Sequence, residues 1–175
     1  MEPVVLITVN RAPVLTLWAA VVAERLGHPP DTALTLGRAV AGAAARVKAR
    51  NIGREERRPE SATLAETHVT APVLLLGKTI RLLPTEDGEL RAADGDLPAD
   101  AAAVARYLTK AFGEHLDRVK AAMVELAARH EPHEVNRIGF RLYEVFRPDV
   151  PPGAEGWGAK AVLEVEKILP RDGHP

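Results

Sequence analysis

Apolar positions recur at helical spacing in several segments of the chain, and they predict a mainly helical protein. In the first segment Leu15, Trp18, Val22 and Leu26 form one stripe, which neighbouring apolar residues widen to most of the circumference. A helix that is apolar nearly all round is buried nearly all round. We therefore expect this helix to be interior scaffold, with Gly27 as its C-terminal stop.

The second predicted helix spans residues 32–51, with Asp31 as its N-cap. Leu34 lies on its apolar face, and Gly37 is small enough to let another helix come close. The connector between the first two helices is short, so they should form an antiparallel or crossed pair.

A longer helical pattern covers residues 98–130 and carries Leu108, Phe112 and Leu116 on one stripe, with Gly113 as a candidate break. Pro132 then opens a fourth helix, on which Leu142 belongs to the apolar face. The predicted core thus comprises Trp18, Val22, Leu26, Leu34, Leu108, Phe112, Leu116 and Leu142.

Shorter apolar runs predict the β structure. Residues 3–10 are β-branched and apolar, and residues 69–92 contain three strand-like runs, 73–76, 79–83 and 89–91, separated by turn-forming glycines. We expect a β-hairpin region over 69–92 in a small antiparallel sheet, which the N-terminal strand can join. The fold class is therefore α+β: a mainly helical domain of about four helices with a small antiparallel β-sheet.

Composition favours a single domain over residues 1–175, with residues 53–68 as a charged loop or linker. The absence of cysteine excludes disulfides and thiolate metal sites. The apolar run at 12–23 is shorter than the roughly 20 residues that span a bilayer, and the start Met1-Glu2-Pro3 lacks the basic residues of a signal peptide. We expect a cytoplasmic protein without membrane partners.

Candidate catalytic chemistry is sparse. Cysteine is absent, and the single serine, Ser61, lies in the charged segment without a strand–turn–helix elbow around it. No catalytic residue and no cofactor is therefore assigned.

His130 and His133 are weak candidates for metal binding, because two histidines and two carboxylates occur within five residues. Pro132 separates the histidines, whereas a zincin needs them four apart on one continuous helix. A helix C-terminus followed by a new helix start explains the same residues without a metal.

A basic cluster is the clearest functional hint. It joins the end of the second helix to the charged segment, and its cations could contact phosphates. Solvated surface is the competing interpretation, because no aromatic residue is interleaved with the cations. The cluster comprises Arg46, Lys48, Arg50, Arg54, Arg57 and Arg58.

The runs "RAPVLTLWAAVVAERLG", "TALTLGRAVAG", "FRLYEVFRP" and "GWGAKAVLEVEKI" resemble a family of uncharacterised bacterial proteins of about this length. No activity is known for that family. The resemblance implies a bacterial, cytoplasmic, single-domain protein and assigns no residue a role.

Three functions remain open from the sequence. The first is a non-enzymatic interaction protein that self-associates as a homo-oligomer. The second is nucleic-acid binding through the Arg46–Arg58 cluster. The third is a small-molecule site or enzyme built from His, Asp and Glu groups that the sequence alone does not bring together.

Overall fold

The computed structural model describes residues 6–51, 72–149 and 161–169, and these residues confirm a mainly helical α+β fold. The helices are α1 (Arg11–Arg25), α2 (Pro30–Asn51), α3 (Ala101–Phe112), α4 (Leu116–Ala128) and α5 (Pro132–Phe146). The strands are β1 (Leu6–Thr8), β2 (Val73–Leu75), β3 (Lys78–Ile80), β4 (Leu82–Pro84), β5 (Leu90–Asp94), β6 (Leu97–Pro98) and β7 (Val162–Glu164).

Helix α1 lies at the centre of the core. Every side chain from Pro13 to Ala23 is buried, and the helix packs against all four other helices of the described chain. Trp18 is fully buried, with its ring edge against Phe146 at 5.5 Å between ring centroids. The nearly all-round apolar character of this segment thus corresponds to burial on every side.

Helices α1 and α2 approach each other most closely at Gly37. A Cβ at this position would overlap the Thr16 carbonyl oxygen and press on the backbone nitrogen and Cβ of Ala20. The turn between the helices is made by Gly27, whose φ of +108° suits glycine. A glycine on α2 therefore sets the distance between the two helices.

Helices α1 and α5 run antiparallel, held at both ends and in the middle. Near the start of α1, Arg11 Nε donates to the Pro148 carbonyl at 2.8 Å. In the middle, the Trp18 indole nitrogen donates to the Gly139 carbonyl at 2.9 Å. At the end of α1, Arg25 Nη2 donates to the carbonyl that precedes α5, that of His130, at 2.7 Å.

The long helix predicted over residues 98–130 is two helices. Gly113 has a φ of +58° and begins a 3₁₀ turn, Gly113–His115, between α3 and α4. The described chain therefore has five helices where the pattern suggested about four. α3 begins at Ala101, because the Asp100 side chain caps it by accepting from the Ala102 backbone N–H at 3.0 Å.

Three sequence-based expectations for the other elements differ in detail from the structure. α2 begins at Pro30, so Asp31 lies in its first turn and is not its N-cap. β1 pairs antiparallel with β7 near the end of the chain and not with the hairpin region, because Ile7 and its partner Leu163 are both buried. The third difference concerns β3 and β4, which replace the single strand predicted over residues 79–83.

β3 pairs with β2 and β4 pairs with β5, both antiparallel, while β6 pairs with the end of β5. Arg81 separates β3 from β4, and its carbonyl accepts from the Ala93 N–H at 2.8 Å. The hairpin between β2 and β3 turns at Leu76 and Gly77, both with positive φ. The Asn136 side chain of α5 bonds the Leu74 carbonyl and the Leu76 N–H, which fixes this hairpin on the helices.

The eight predicted core residues divide into two groups by burial. Four of them, Trp18, Val22, Leu108 and Phe112, are buried. The others are partly buried and pack against the core: Leu26, Leu34, Leu116 and Leu142.

Replacing Gly37 with alanine tests the close approach of α1 and α2. At an open site inside a helix this change stabilises by up to about 1 kcal/mol. Here we expect the opposite sign, a loss of about 1–3 kcal/mol, because the new methyl group meets backbone atoms that cannot move aside. Urea unfolding measures the difference. A gain in stability would show that the helices are not in contact here.

Candidate ligand-binding cleft

Two buried threonines dock the β-structure on the first turns of α2. Thr32 Oγ1 donates to the Leu90 carbonyl at 2.6 Å. Thr35 Oγ1 accepts from the Ala92 backbone N–H at 2.9 Å and donates to the Thr32 carbonyl at 2.8 Å. The hydroxyl groups thus satisfy backbone groups of β5 that its strand partners leave open, and they place β5 beside α2.

A cleft lies beyond this contact, between α2, the strands and the start of α3. It encloses about 660 Å³ and is partly open to solvent. Much of its surface comes from small residues, which keep side chains out of the space: Ala39, Gly42, Ala43, Ala92, Ala99 and Ala103. The polar groups on its walls are Thr35, Arg38, Thr79, Arg81, Asp94, Asp100 and Tyr107.

Arg38 of α2 is held over the Tyr107 ring of α3, with its guanidinium carbon 5.1 Å from the ring centroid. Tyr107 is half-buried, and burial raises the pKa of its phenol. The Arg38 charge and a hydrogen bond with Thr16 oppose that rise in pKa. The phenol stays neutral near pH 7, and its ring serves as a platform for the guanidinium.

Arg81 reaches the cleft from the sheet side. It is half-buried, and its Nη2 donates to the Gly95 carbonyl at 2.8 Å. Gly95 is at the β5–β6 turn and has a φ of +66°. The two arginines of the cleft therefore lie on different parts of the fold. Arg38 is restrained by the Tyr107 ring and Arg81 by the Gly95 carbonyl.

The acidic groups of the cleft have different surroundings. The Asp100 side chain is committed to capping α3, where the helix dipole favours negative charge. Asp94 is exposed at the end of β5. The arginines are thus the charged groups of the cleft that are held by tertiary contacts.

The predicted basic cluster lies largely outside what the structure describes. Arg46, Lys48 and Arg50 fall on the backbone of α2, but their side chains are not among the described ones. Arg54, Arg57 and Arg58 lie outside the described residues, as does the rest of the charged segment at 53–68. Nucleic-acid binding through this cluster stays a prediction.

The two histidines considered for a metal are not brought together with other ligands. His130 is half-buried, with Nδ1 at 3.9 Å from Glu134 Oε1, and His133 is exposed. Across residues 6–51, 72–149 and 161–169, no three His, Cys, Asp or Glu side chains are grouped closely enough to hold a metal ion.

The sequence did not reveal the residues that make the cleft. Arg38 and Arg81 stand singly among unlike neighbours, and Tyr107 looks like one more helix residue. One feature of the sequence could have indicated the cleft. Ala39 and Ala43 on α2 and Ala103 on α3 give each helix a small-residue face flanked by a charged or aromatic residue.

Comparison with known proteins identifies no family for the chain. The chain matches no protein-family model, no curated protein and no solved structure. Within the described residues, no helix combines the length and the apolar character needed to cross a membrane.

Removing the Thr35 hydroxyl tests how the sheet is docked beside the cleft. Thr35→Val leaves the Ala92 N–H buried without a partner, so we expect a loss of about 1–3 kcal/mol in unfolding free energy. Thr79→Val is the matched control, because Thr79 is an exposed residue of the same cleft. Chemical denaturation of both variants gives the comparison, and equal stabilities would contradict the docking role.

Proposed function

We propose that the protein binds a small molecule in the cleft between α2, the strands and α3. The observation that carries the proposal is the cleft itself, about 660 Å³ with walls from three elements. This volume falls within the roughly 300–1,000 Å³ of small-molecule sites in proteins. Of the three functions open to the sequence, the proposal is nearest to the small-molecule site, but the cleft is lined by Arg, Tyr, Thr and Asp side chains and not by the expected set of His, Asp and Glu groups. It assigns binding without a reaction.

The construction of the walls supports the proposal. Small residues leave the space open, and a few polar groups converge on it from α2, β3–β5 and α3. Ligand sites typically combine a largely preformed cavity with a small number of fixed polar groups. The Arg38–Tyr107 stack and the Arg81–Gly95 hydrogen bond fix two such groups.

A pair of tryptophan substitutions tests whether this cleft is the site. Ala103 is an exposed residue of α3 that lines the cleft, whereas Ala105, also exposed, lies two positions on and does not line it. We expect Ala103→Trp to block binding by filling the space and Ala105→Trp to leave binding intact. Neither change buries new surface in the core, so both variants should remain folded.

The probes are three two-ring compounds of one shape: 2-naphthamide, 2-naphthoate and naphthalen-2-ylmethylamine, which are neutral, anionic and cationic. Titrations followed by amide NMR shifts at Gly95, Ala99 and Ala103 report occupancy of the cleft. Binding of any probe that Ala103→Trp abolishes and Ala105→Trp preserves supports the function. If no probe shifts these amides, or if both variants behave alike, the cleft is not a ligand site.

Self-association is a second candidate, and the outer face of the β1–β7 ribbon favours it. In the antiparallel register, Thr8 stands opposite Val162 and Leu6 opposite Glu164. These residues share the face opposite to the buried pair, and Leu6 and Val162 on it are 59% and 38% exposed. An apolar pair on an exposed ribbon is a surface that a second copy of the chain could cover.

Exchanging both apolar residues of that face tests the homo-oligomer. We expect Leu6→Thr combined with Val162→Thr to lower the oligomeric mass at micromolar concentration, because the contact loses its apolar area. Leu74→Thr is the control, since Leu74 is equally exposed but lies on β2. Sedimentation equilibrium measures the oligomeric mass of the parent protein and of each variant. A monomeric parent protein, or an oligomer unaffected by the double change, would refute this interface.

A further inference from the structure

We propose that the ligand of the cleft carries an oxyanion, a carboxylate or a phosphate, and that Arg38 and Arg81 bind it from two sides. This inference rests on the proposed binding function and names the chemistry of its ligand. Three observations carry it: the restraint on each arginine, the engagement of Asp100 beside an exposed Asp94, and the small-residue surface of the cleft.

Arg38 is an exposed cation at the cleft whose position is fixed before any ligand arrives. The cation–π contact with Tyr107, at 5.1 Å from the guanidinium carbon to the ring centroid, limits the conformations of a long side chain. A restrained guanidinium loses less entropy when it forms hydrogen bonds to an oxyanion.

Arg81 provides a second guanidinium on the strand side of the cleft. Its Nη2 donates to the Gly95 carbonyl, which engages one of the five N–H donors of an arginine. That bond holds the side chain against the β5–β6 turn and leaves a fork able to bind two oxygens of one oxyanion. Its half-burial lowers the screening of its charge by water.

The aspartates of the cleft do not cancel this charge. Asp100 accepts the Ala102 N–H at the start of α3, where the helix dipole already compensates a carboxylate. Asp94 is exposed like Arg38, but no contact among the described residues holds its carboxylate in place, whereas Arg38 has the Tyr107 contact. An anionic ligand therefore meets two oriented cations, while a cationic ligand meets one carboxylate that is engaged and one that is hydrated.

The space between the arginines suits a flat apolar body attached to the oxyanion. Ala39, Gly42 and Ala43 on α2 and Ala103 on α3 line the cleft with little more than backbone and methyl groups. A ring can lie against such a surface without displacing side chains, and its burial adds affinity in proportion to the apolar area covered.

The naphthalene probes measure the preference for an oxyanion directly. We expect 2-naphthoate to bind at least about tenfold more tightly than 2-naphthamide, because a charge-assisted hydrogen bond contributes more than a neutral one. The cationic amine should bind most weakly. 2-Naphthyl phosphate forms a separate arm, and the tighter of the two anions identifies the carboxylate or the phosphate as the preferred group.

Arg38→Gln and Arg81→Gln should each weaken 2-naphthoate binding by about tenfold or more and leave 2-naphthamide binding nearly unchanged. Arg106→Gln is the matched control, because Arg106 is exposed on α3 but does not line the cleft. Thermal unfolding of each variant checks that the fold is retained. If Arg81→Gln unfolds the protein, Arg81→Lys replaces it and should weaken 2-naphthoate selectively by removing the two-pronged contact.

The outcomes separate the two proposals. Equal affinity for the neutral and anionic probes, with the block by Ala103→Trp intact, would overturn the oxyanion and leave the binding function standing. A preference for the anion that survives both arginine changes would overturn the role of these residues. Absence of binding by every probe would refute the cleft as a ligand site and the oxyanion with it.

Discussion

The burial of α1 from Pro13 to Ala23 is the constraint on which the other elements depend. A fifteen-residue helix with side chains buried from Pro13 to Ala23 needs partners around its whole circumference. α2 covers the largest part of that surface, and α4, α5 and α3 contact the rest. The Trp18 hydrogen bond to Gly139 adds direction to this packing, because an indole N–H in the core must find an acceptor. Arg11 and Arg25 then fix the antiparallel alignment with α5.

Close packing against α1 also determines which residues of α2 face the strands and α3. Gly37 faces the backbone of α1, so Arg38 and Ala39, which follow it, are turned toward the strands and α3. Thr35 fixes the distance of the sheet from that face through its bond to Ala92. The cleft is therefore a consequence of two separate contacts on α2: one glycine that admits α1 and one hydroxyl that holds β5.

The sequence could predict those features of the fold that depend on a local pattern of residues. The stripe through Trp18 identified the central helix, Pro132 marked the start of α5, and Gly113 marked the break in the long helical pattern, because each of these signals acts within a few residues. The pairing of β1 with β7 could not be predicted in the same way. Each strand has three residues and no distinctive periodicity, and the choice of partner depends on Ile7 and Leu163 meeting in the core from opposite ends of the chain.

The cleft could not be predicted from the sequence, for a related reason. Arg38 and Tyr107 come from different helices, and Arg81 comes from the junction of two strands, so their convergence requires the packing of three elements at once. In the sequence, each of these residues can also be interpreted as a surface residue or as a residue at the edge of a helix. That interpretation gives no indication that the residue lines a cleft. The same duality applies to Asp100: its position before α3 identifies it as a helix cap, and only the structure places that cap on the wall of the cleft. The charge preference that we propose for the cleft thus depends on how its polar groups are engaged, and a count of cations and anions along the chain does not contain that information.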